Sequence, residues 1–483
     1  MEDSSNGSGK EPGRPDAHSI DTRSIRTDTG NASIILRVAP QNVAGNTRGN
    51  GGRPYGARAA TGFPSTARLF PLEQSLVFGP RPAPLAMKIP VLRTRRILER
   101  LERLRLAPYA TPSAGAPREH REPSPDIRTE FERDWNRILH SRAFRRLEFK
   151  TQVLPFGVGS DFVRNRLTHT LEAMQIGIGI ARALGLNEDL VMAIVMAHDL
   201  GHTPFGHKGE EELARCSGDF NHNAHSLRIV RELERRYPGF PGLNLTLPTL
   251  EGIEKHNTDY DTPGSAEFFA GESPTLEAQV AGMADTIAYR AHDIEDAIES
   301  GIVPARRFER VPFWRETLKE VPRMERSGVW FAQVSRAAIS RMITDVVRAS
   351  AAAITRHRIR TLRDVRRCRA PLVAFSPRME RLQRELADFL MNEFYLSPQV
   401  VRACKRGTDI IRDLFSVYTE TPRMLPRKVQ AEIRAAGRDR AKRIVADYIA
   451  GMTDRFAMAE HANLCEGGRD MGFDPTVWKS LEG

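Results

Sequence analysis

The chain has 483 residues, 40% of them hydrophobic and 7% aromatic, with a formal net charge of +11. Its four cysteines lie far apart without a CxxC pair and no run of about 18 apolar residues occurs, which excludes a disulfide scaffold, a thiolate zinc site and a membrane span. The positive balance suits a polyanion such as nucleotide phosphates or nucleic acid, but a solvated arginine-rich surface accounts for it too, and composition alone favours the latter.

The length exceeds what one core usually organises, so a large helical body, in one or two lobes, plus a tail is expected. Residues 1–86 are rich in Gly, Ser, Asn, Pro and Arg without apolar periodicity, and they read as a disordered, dispensable segment. Residues 87–127 read as a helical segment from Met87, IPVLRTRRILERLERLRLAPYA, followed by a Pro-rich linker over 111–127. From 128 onward helical patterning dominates. Leu167, Leu171, Met174, Ile178 and Ala181 recur at three- and four-residue steps, which predicts one buried helix face. A second helix from about Glu188 is expected to stop at Gly201, and a third to begin near Pro204. A fourth covers HNAHSLRIVRELERRY, and 238–275 reads as mostly loop. A fifth, LEAQVAGMADTIAYRAHDIEDAI, carries Leu276, Val280, Met283, Ile287, Ala291 and Ile294 on one stripe. Beyond 303, helices continue to a last one written RIVADYIAGMTDRFAMAEH. The reducing cysteine pattern and the lack of an apolar leader core point to the cytoplasm.

Of the 13 histidines, His169, His198, His202, His207, His222, His225 and His256 crowd into residues 169–256. Neighbouring residues on a helix point about a quarter-turn apart, so His198 and Asp199 reach one ion together only from a helix end. Imidazole nitrogen with carboxylate oxygen suits Mn²⁺, Fe²⁺, Co²⁺ or Zn²⁺, and Mg²⁺ less well. Further ligands must come from other helices, and His169 and Asp285 are the natural candidates. His207 and Glu210, at i and i+3, share a helix face, as do Arg166 and His169, and as do Asp285, Tyr289 and Asp293 at steps of four.

The segments FERDWNRILHSRAFRRLEFKTQV, RNRLTHTLE, AHDLGHTPFGHKGE, FNHNAHSLRI, EGIEKH, LEAQVAGMADTIAYRAHDIED and ADYIAGMTDRFA come in an order that resembles the deoxyguanosine-triphosphate triphosphohydrolase family, in its shorter dGTPase-like branch. That family belongs to the HD superfamily of metal phosphohydrolases, and the resemblance covers roughly residues 90–483. It implies an all-α fold with an HD core over 128–302 and additional helices over 303–483. It also implies hydrolysis of a dNTP to deoxynucleoside and inorganic tripolyphosphate by water attack at the α-phosphorus. His169, His198, Asp199 and Asp285 match the metal ligands, for Mn²⁺, Mg²⁺, Co²⁺ or Fe²⁺. His207 and Glu210 match a catalytic pair in which Glu210 orients His207, with His222 a rival for acid–base work. His202 and Arg166 match phosphate contacts, while Arg145 and Arg146 read equally as phosphate clamps or surface charges. Tyr289 matches a deoxyribose platform that leaves no room for a 2′-OH, and Asp293 with Gln152 matches contacts to the 3′-OH. His225 stands where the family usually carries Gln, and no role emerges for His256. A homo-oligomer, a dNTP effector and single-stranded nucleic acid are partners the resemblance brings into view. Two other readings stay open: an HD hydrolase of another nucleotide, a dNMP or a guanosine-tetraphosphate-like ligand, and a basic nucleic-acid-binding regulatory module.

Overall fold

The computed structural model describes residues 91–154, 163–258, 267–325 and 327–465. The reading of residues 1–86 as disordered lies outside them. Among the described residues the fold is all-α, with three isolated bridges and no strand.

Helix α1 (Arg95–Arg105) leads into the Pro-rich stretch, which is a folded strap rather than a linker. Buried carboxylates take up its donors. Thr111 gives its N–H and hydroxyl to Glu277 at 2.8 and 2.9 Å, and Ser113 does the same to Glu102 at 2.6 and 2.7 Å. Helix α2 (Glu130–Leu139) starts at a capping box in which Thr129 and Glu132 satisfy each other's backbone N–H groups, and the short α3 (Arg142–Arg146) follows. Helix α4 (Arg166–Leu184) is capped by Asn165, which accepts the Thr168 N–H at 2.9 Å, and ends at left-handed Gly185. Its inward face is not the predicted stripe. Arg166, His169, Thr170, Ala173, Ile176, Gly177, Ile180, Ala181 and Leu184 are buried, whereas Leu171 is 41% exposed. Two polar residues of the first turn occupy inner positions, and a reading by hydrophobicity alone rotates the helix away from them.

Helix α5 (Glu188–His198) is capped by Asn187 and is apolar on nearly all sides. Helix α6 (Gly206–Ser217) starts two residues later than Pro204 suggested, because Phe205 is left-handed at φ 63°. Helix α7 (His222–Arg228) runs into a π-turn over Ile229–Leu233, which ends the predicted fourth helix early. Helix α8 (Leu247–Glu254) lies in the stretch expected to be loop, with Pro248 in its first turn. Helix α9 (Leu276–Glu299) matches expectation and is buried along almost its whole circumference. Then come α10 (Pro312–Leu318), α11 (Gly328–Arg356), α12 (Leu362–Arg367), α13 (Pro377–Leu390), α14 (Pro398–Glu420) and α15 (Arg427–Ala436). The predicted last helix is two, α16 (Arg438–Ala450) and α17 (Asp454–Cys465), broken at 451–453.

The main core forms where α4, α5 and α9 pack together, with α11 laid across α4 and α9. Gly177 sets the spacing. A Cβ there would stand 2.9 Å from Val191 Cγ1 and 3.3 Å from Ala284 Cβ, so a larger residue would push α4 away from both neighbours. Ile176, Ile180, Val191, Ile194, Val280 and Ile287 fill the contact, each worth about 1.5–3 kcal/mol on full burial. A separate apolar cluster joins Phe205 and Leu213 to Ile411, Leu414, Tyr418, Ile449 and Ala457 of the C-terminal helices.

Candidate active site

The close packing of three helices brings the first turn of α4, the last residue of α5 and the middle of α9 to a single buried point. His169 sits in the first turn of α4, His198 is the last residue of α5 with Asp199 as its C-cap, and Asp285 lies midway along α9. All four are at most 6% exposed. His169 Nε2 lies 2.8 Å from Asp285 Oδ1, and His198 Nε2 lies 3.7 Å from the same oxygen and 3.5 Å from Asp199 Oδ2. His198 Nδ1 donates to the Val195 carbonyl at 2.6 Å, which leaves Nε2 a bare lone pair. Neither His198 Nε2 nor Asp199 Oδ2 has a hydrogen-bond partner. Two buried acceptors facing each other are unfavourable unless a cation sits between them. Two imidazoles and two carboxylates form a donor set that fits a divalent transition metal better than Mg²⁺.

Electrostatics keeps both carboxylates charged. Burial by itself would raise the Asp199 pKa, but the Arg166 guanidinium, 2.7 Å from Oδ1, holds it well below the usual range. Asp285 is likewise held low against its burial by His198, His169 and His256. Arg166, read as a phosphate contact, is thus also the partner of a metal-ligand candidate. Its Nε and Nη2 are buried without a partner and remain free to donate to an anion.

A second cluster adjoins the first. Gly201 lies between them, just past the end of α5, and it does more than let that helix stop. A Cβ there would run into the His222 carbonyl and the Ser226 amide, so glycine permits the close passage of α7. His202, buried to 1%, places Nε2 3.3 Å from Asp199 Oδ1 and stacks on His222 with ring centroids 3.8 Å apart. Burial, then Arg166 and the neighbouring histidines, lowers its pKa well below 6.5 and so disfavours its protonated form. Glu210 accepts the His222 backbone N–H at 2.7 Å and faces His222 Nδ1 at 2.9 Å. His207 Nδ1 is 3.9 Å from Glu210 Oε2, beyond hydrogen-bond reach, and its side chain is 43% exposed. The carboxylate expected to orient His207 is therefore engaged by His222 in this structure. That bond also holds Glu210 below its ordinary pKa against the effect of burial.

Asp285, Tyr289 and Asp293 do share a buried face of α9. Burial pushes Asp293 up to about 7, while its Oδ2 accepts the Tyr395 hydroxyl and its Oδ1 has no partner. Gln152 Oε1 is buried without a partner beside the chain that Gly206 approaches. Arg145 is exposed, whereas Arg146 is half-buried near Gly451. His225 stands apart from both clusters, its Nδ1 donating to the Gly201 carbonyl at 3.0 Å.

Three residues at the site escaped sequence reasoning. His256 Nε2 lies 3.3 Å from Asp285 Oδ2, and its ring is 5.0 Å from that of His198. His292 Nδ1 meets His169 Nδ1 at 3.3 Å, one of the two donating, and its far nitrogen reaches Glu172. Tyr395 comes from a distant helical turn. For His256 a signal existed, a histidine closing the EGIEKH segment, but the loop that delivers it to Asp285 is readable only in three dimensions.

An all-helical core that gathers His169, His198–Asp199 and Asp285 around one point is the arrangement of an HD-domain phosphohydrolase. Residues 166–290 match the HD domain family, and residues 373–463 match the phosphohydrolase-associated domain. A deoxyguanosinetriphosphate triphosphohydrolase-like protein of Geobacter sulfurreducens is 46% identical over 376 residues, 76% of this chain and 96% of that protein. Proteins of the same description from Ralstonia nicotianae and Bordetella pertussis are 46% and 43% identical over 373 and 380 residues, covering 94% and 97% of their own lengths. The chain belongs to this family of deoxyguanosinetriphosphate triphosphohydrolase-like proteins. Among the described residues no helix is long and apolar enough to cross a membrane.

Proposed function

We propose that the protein hydrolyses deoxynucleoside triphosphates, dGTP among them, to deoxynucleoside and inorganic tripolyphosphate. The reading rests chiefly on Asp199. Its Oδ2 faces His198 Nε2 at 3.5 Å on the cation side, while Oδ1 meets Arg166 at 2.7 Å and His202 at 3.3 Å on the side suited to an anion. One carboxylate thus joins a cation site to an anion site, which is what a phosphoester flanked by a metal ion requires. The relatives' name, deoxyguanosinetriphosphate triphosphohydrolase-like protein, points to the same substrate class.

His169, His198, Asp199 and Asp285 would hold the metal, Mn²⁺ or another of Mg²⁺, Co²⁺ and Fe²⁺. Such an ion supplies positive charge that polarises a phosphoryl oxygen and acidifies a water. Arg166 and His202 orient the α-phosphate, and the spare Arg166 donors offset charge that builds on its oxygens. Water attacks the α-phosphorus and its oxygen stays on the tripolyphosphate, while the bond to the 5′-oxygen breaks. The departing 5′-oxygen is a poor leaving group and needs a proton. His207, the open member of its cluster, delivers that proton, and Glu210, hydrogen-bonded to His222 and 3.9 Å from His207, biases it through its charge. Tyr289 supports the deoxyribose, and Asp293 and Gln152 bind its 3′-OH.

The test is a product-resolved assay of the full chain with Mn²⁺ and each dNTP, singly and mixed. Deoxynucleoside plus tripolyphosphate is expected. Formation of dNMP with pyrophosphate, or dNDP with phosphate, rejects attack at the α-phosphorus. Turnover of dNMPs alone moves the site to a monophosphatase.

A further inference from the structure

His207 and Glu210 ride on α6, and the chain enters that helix through Phe205, a non-glycine residue at φ 63°. L side chains rarely adopt this conformation, and it persists only where the surroundings over-determine it. Here the surroundings come from the C-terminal helices. Asp454, the fully buried first residue of α17, accepts the Phe205 N–H on Oδ1 at 3.1 Å. Its Oδ2 accepts the Thr151 N–H at 3.1 Å and the Thr151 hydroxyl. The Phe205 ring is 5% exposed and lies on α14 at Gly407, where a Cβ would stand 2.7 Å from Phe205 Cγ and 2.8 Å from its Cβ. Lys150 adds a second tie, its Nζ donating to the His202 carbonyl and to the Ala450 carbonyl at the end of α16. Asp454 and Gly407 both fall in residues 373–463, outside the HD match.

We propose that Asp454 and Gly407 are positioning residues for proton transfer: by clamping Phe205 in the left-handed conformation they set where α6 presents His207 and Glu210 to the scissile phosphate. The proposal rests on the reading of those two residues as proton-transfer groups. The phosphohydrolase-associated region then completes the site from behind. Its groups act through the backbone of the 203–206 turn and touch no substrate. Asp454 is matched to the task because a carboxylate accepts from two separate backbone amides at once. Gly407 is matched to it because any side chain there would displace the ring that the clamp holds.

The test uses the full chain loaded with Mn²⁺ and the variants Gly407→Ala, Asp454→Asn, Phe205→Gly and the double variant Gly407→Ala/Phe205→Gly. Gly407→Ala is expected to lower kcat about tenfold or more, while KM and the affinity for Mn²⁺ alone change less than about threefold. In the Phe205→Gly background the same alanine should cost less than about twofold, because nothing is left for it to strike and glycine tolerates the positive φ. Asp454→Asn, which turns one acceptor into a donor, should repeat the kcat loss. Amide hydrogen exchange over 205–217 should quicken in Gly407→Ala and Asp454→Asn while α4, α5 and α9 keep their protection. Strict additivity of Gly407→Ala and Phe205→Gly, or a parallel fall of kcat, Mn²⁺ affinity and melting temperature, overturns the clamp. Unchanged exchange in α6 does so whatever the substrate. Exchange and Mn²⁺ titration need no turnover, so a wild-type protein inactive on dNTPs would sink the functional reading and still leave the clamp decided.

Discussion

Asp199 turns one oxygen to His198 and the other to Arg166 and His202, and substitutions at and around it test what each side does. Asp199→Ala removes a metal-ligand candidate and leaves Arg166 buried without its 2.7 Å partner. Loss of both Mn²⁺ binding by calorimetry and turnover is expected. His207→Ala leaves the buried ligands intact, so Mn²⁺ and substrate binding should persist while kcat drops about 100-fold or more. A near-normal rate would remove His207 from proton transfer and shift the role to His222, whose ring Glu210 already holds. His225 carries a pH prediction. Burial pushes its imidazole down from 6.5 to about 3, against the pull of its bond to the Gly201 carbonyl. Below the ordinary value the unfolded chain takes up a proton that the folded chain refuses, so stability falls as pH drops from 6.5 towards 3. At pH 5 that share amounts to about 2 kcal/mol. His225→Gln keeps a donor for the carbonyl and removes the titration. Urea unfolding at pH 7 and pH 5 should show a correspondingly smaller loss in the variant, and an unchanged difference would reject the assignment.

Packing between helices decides whether the ligands meet at all. Gly177→Val would drive a methyl into Val191 and Ala284, costing on the order of 1–3 kcal/mol of stability. It should also part His169 from Asp285, so a lower urea midpoint with weakened Mn²⁺ binding is expected. A stability loss with unchanged metal affinity would show that the ligand geometry does not depend on this crossing. Helix α4 also shows the limit of reading periodicity. Its stripe was misplaced because Arg166 and His169 take inner positions that apolar residues would otherwise fill. Helix α8 was missed because it is short and sits in a Gly/Pro-rich stretch, and the break between α16 and α17 because Gly451 was read as an interior residue.

Across the whole molecule, two buried carboxylates and a bare imidazole nitrogen converge on one point. An ion held there would make stability depend on it: if Mn²⁺ binds the folded chain and not the unfolded one, then at 100 times its dissociation constant it should add about 2.7 kcal/mol. Removal by chelator should lower the melting temperature, and added Mn²⁺ should restore it. Asp285→Asn should abolish the response, and an Asp285→Asn protein that still responds would place the ion elsewhere. The net charge of +11 contributed little to the functional reading, because a solvated arginine-rich surface accounts for it as well as a polyanionic ligand does.

By itself the sequence determined the helical class, the extents of α4, α5 and α9 to within a few residues, and the identity of the metal-ligand candidates. Those features are local: helix periodicity, caps and the His-Asp pair at a helix end are written in neighbouring residues, and the family motifs add to them. Only the tertiary structure decided which partners the polar groups take. Glu210 turns to His222 rather than His207, His256 and His292 pack against the ligand candidates Asp285 and His169, and Asp454 reaches Phe205 across 249 residues of chain. Such pairings depend on how closely whole helices approach, and that distance is set by residues like Gly177, Gly201 and Gly407 acting together, not by any one segment read alone.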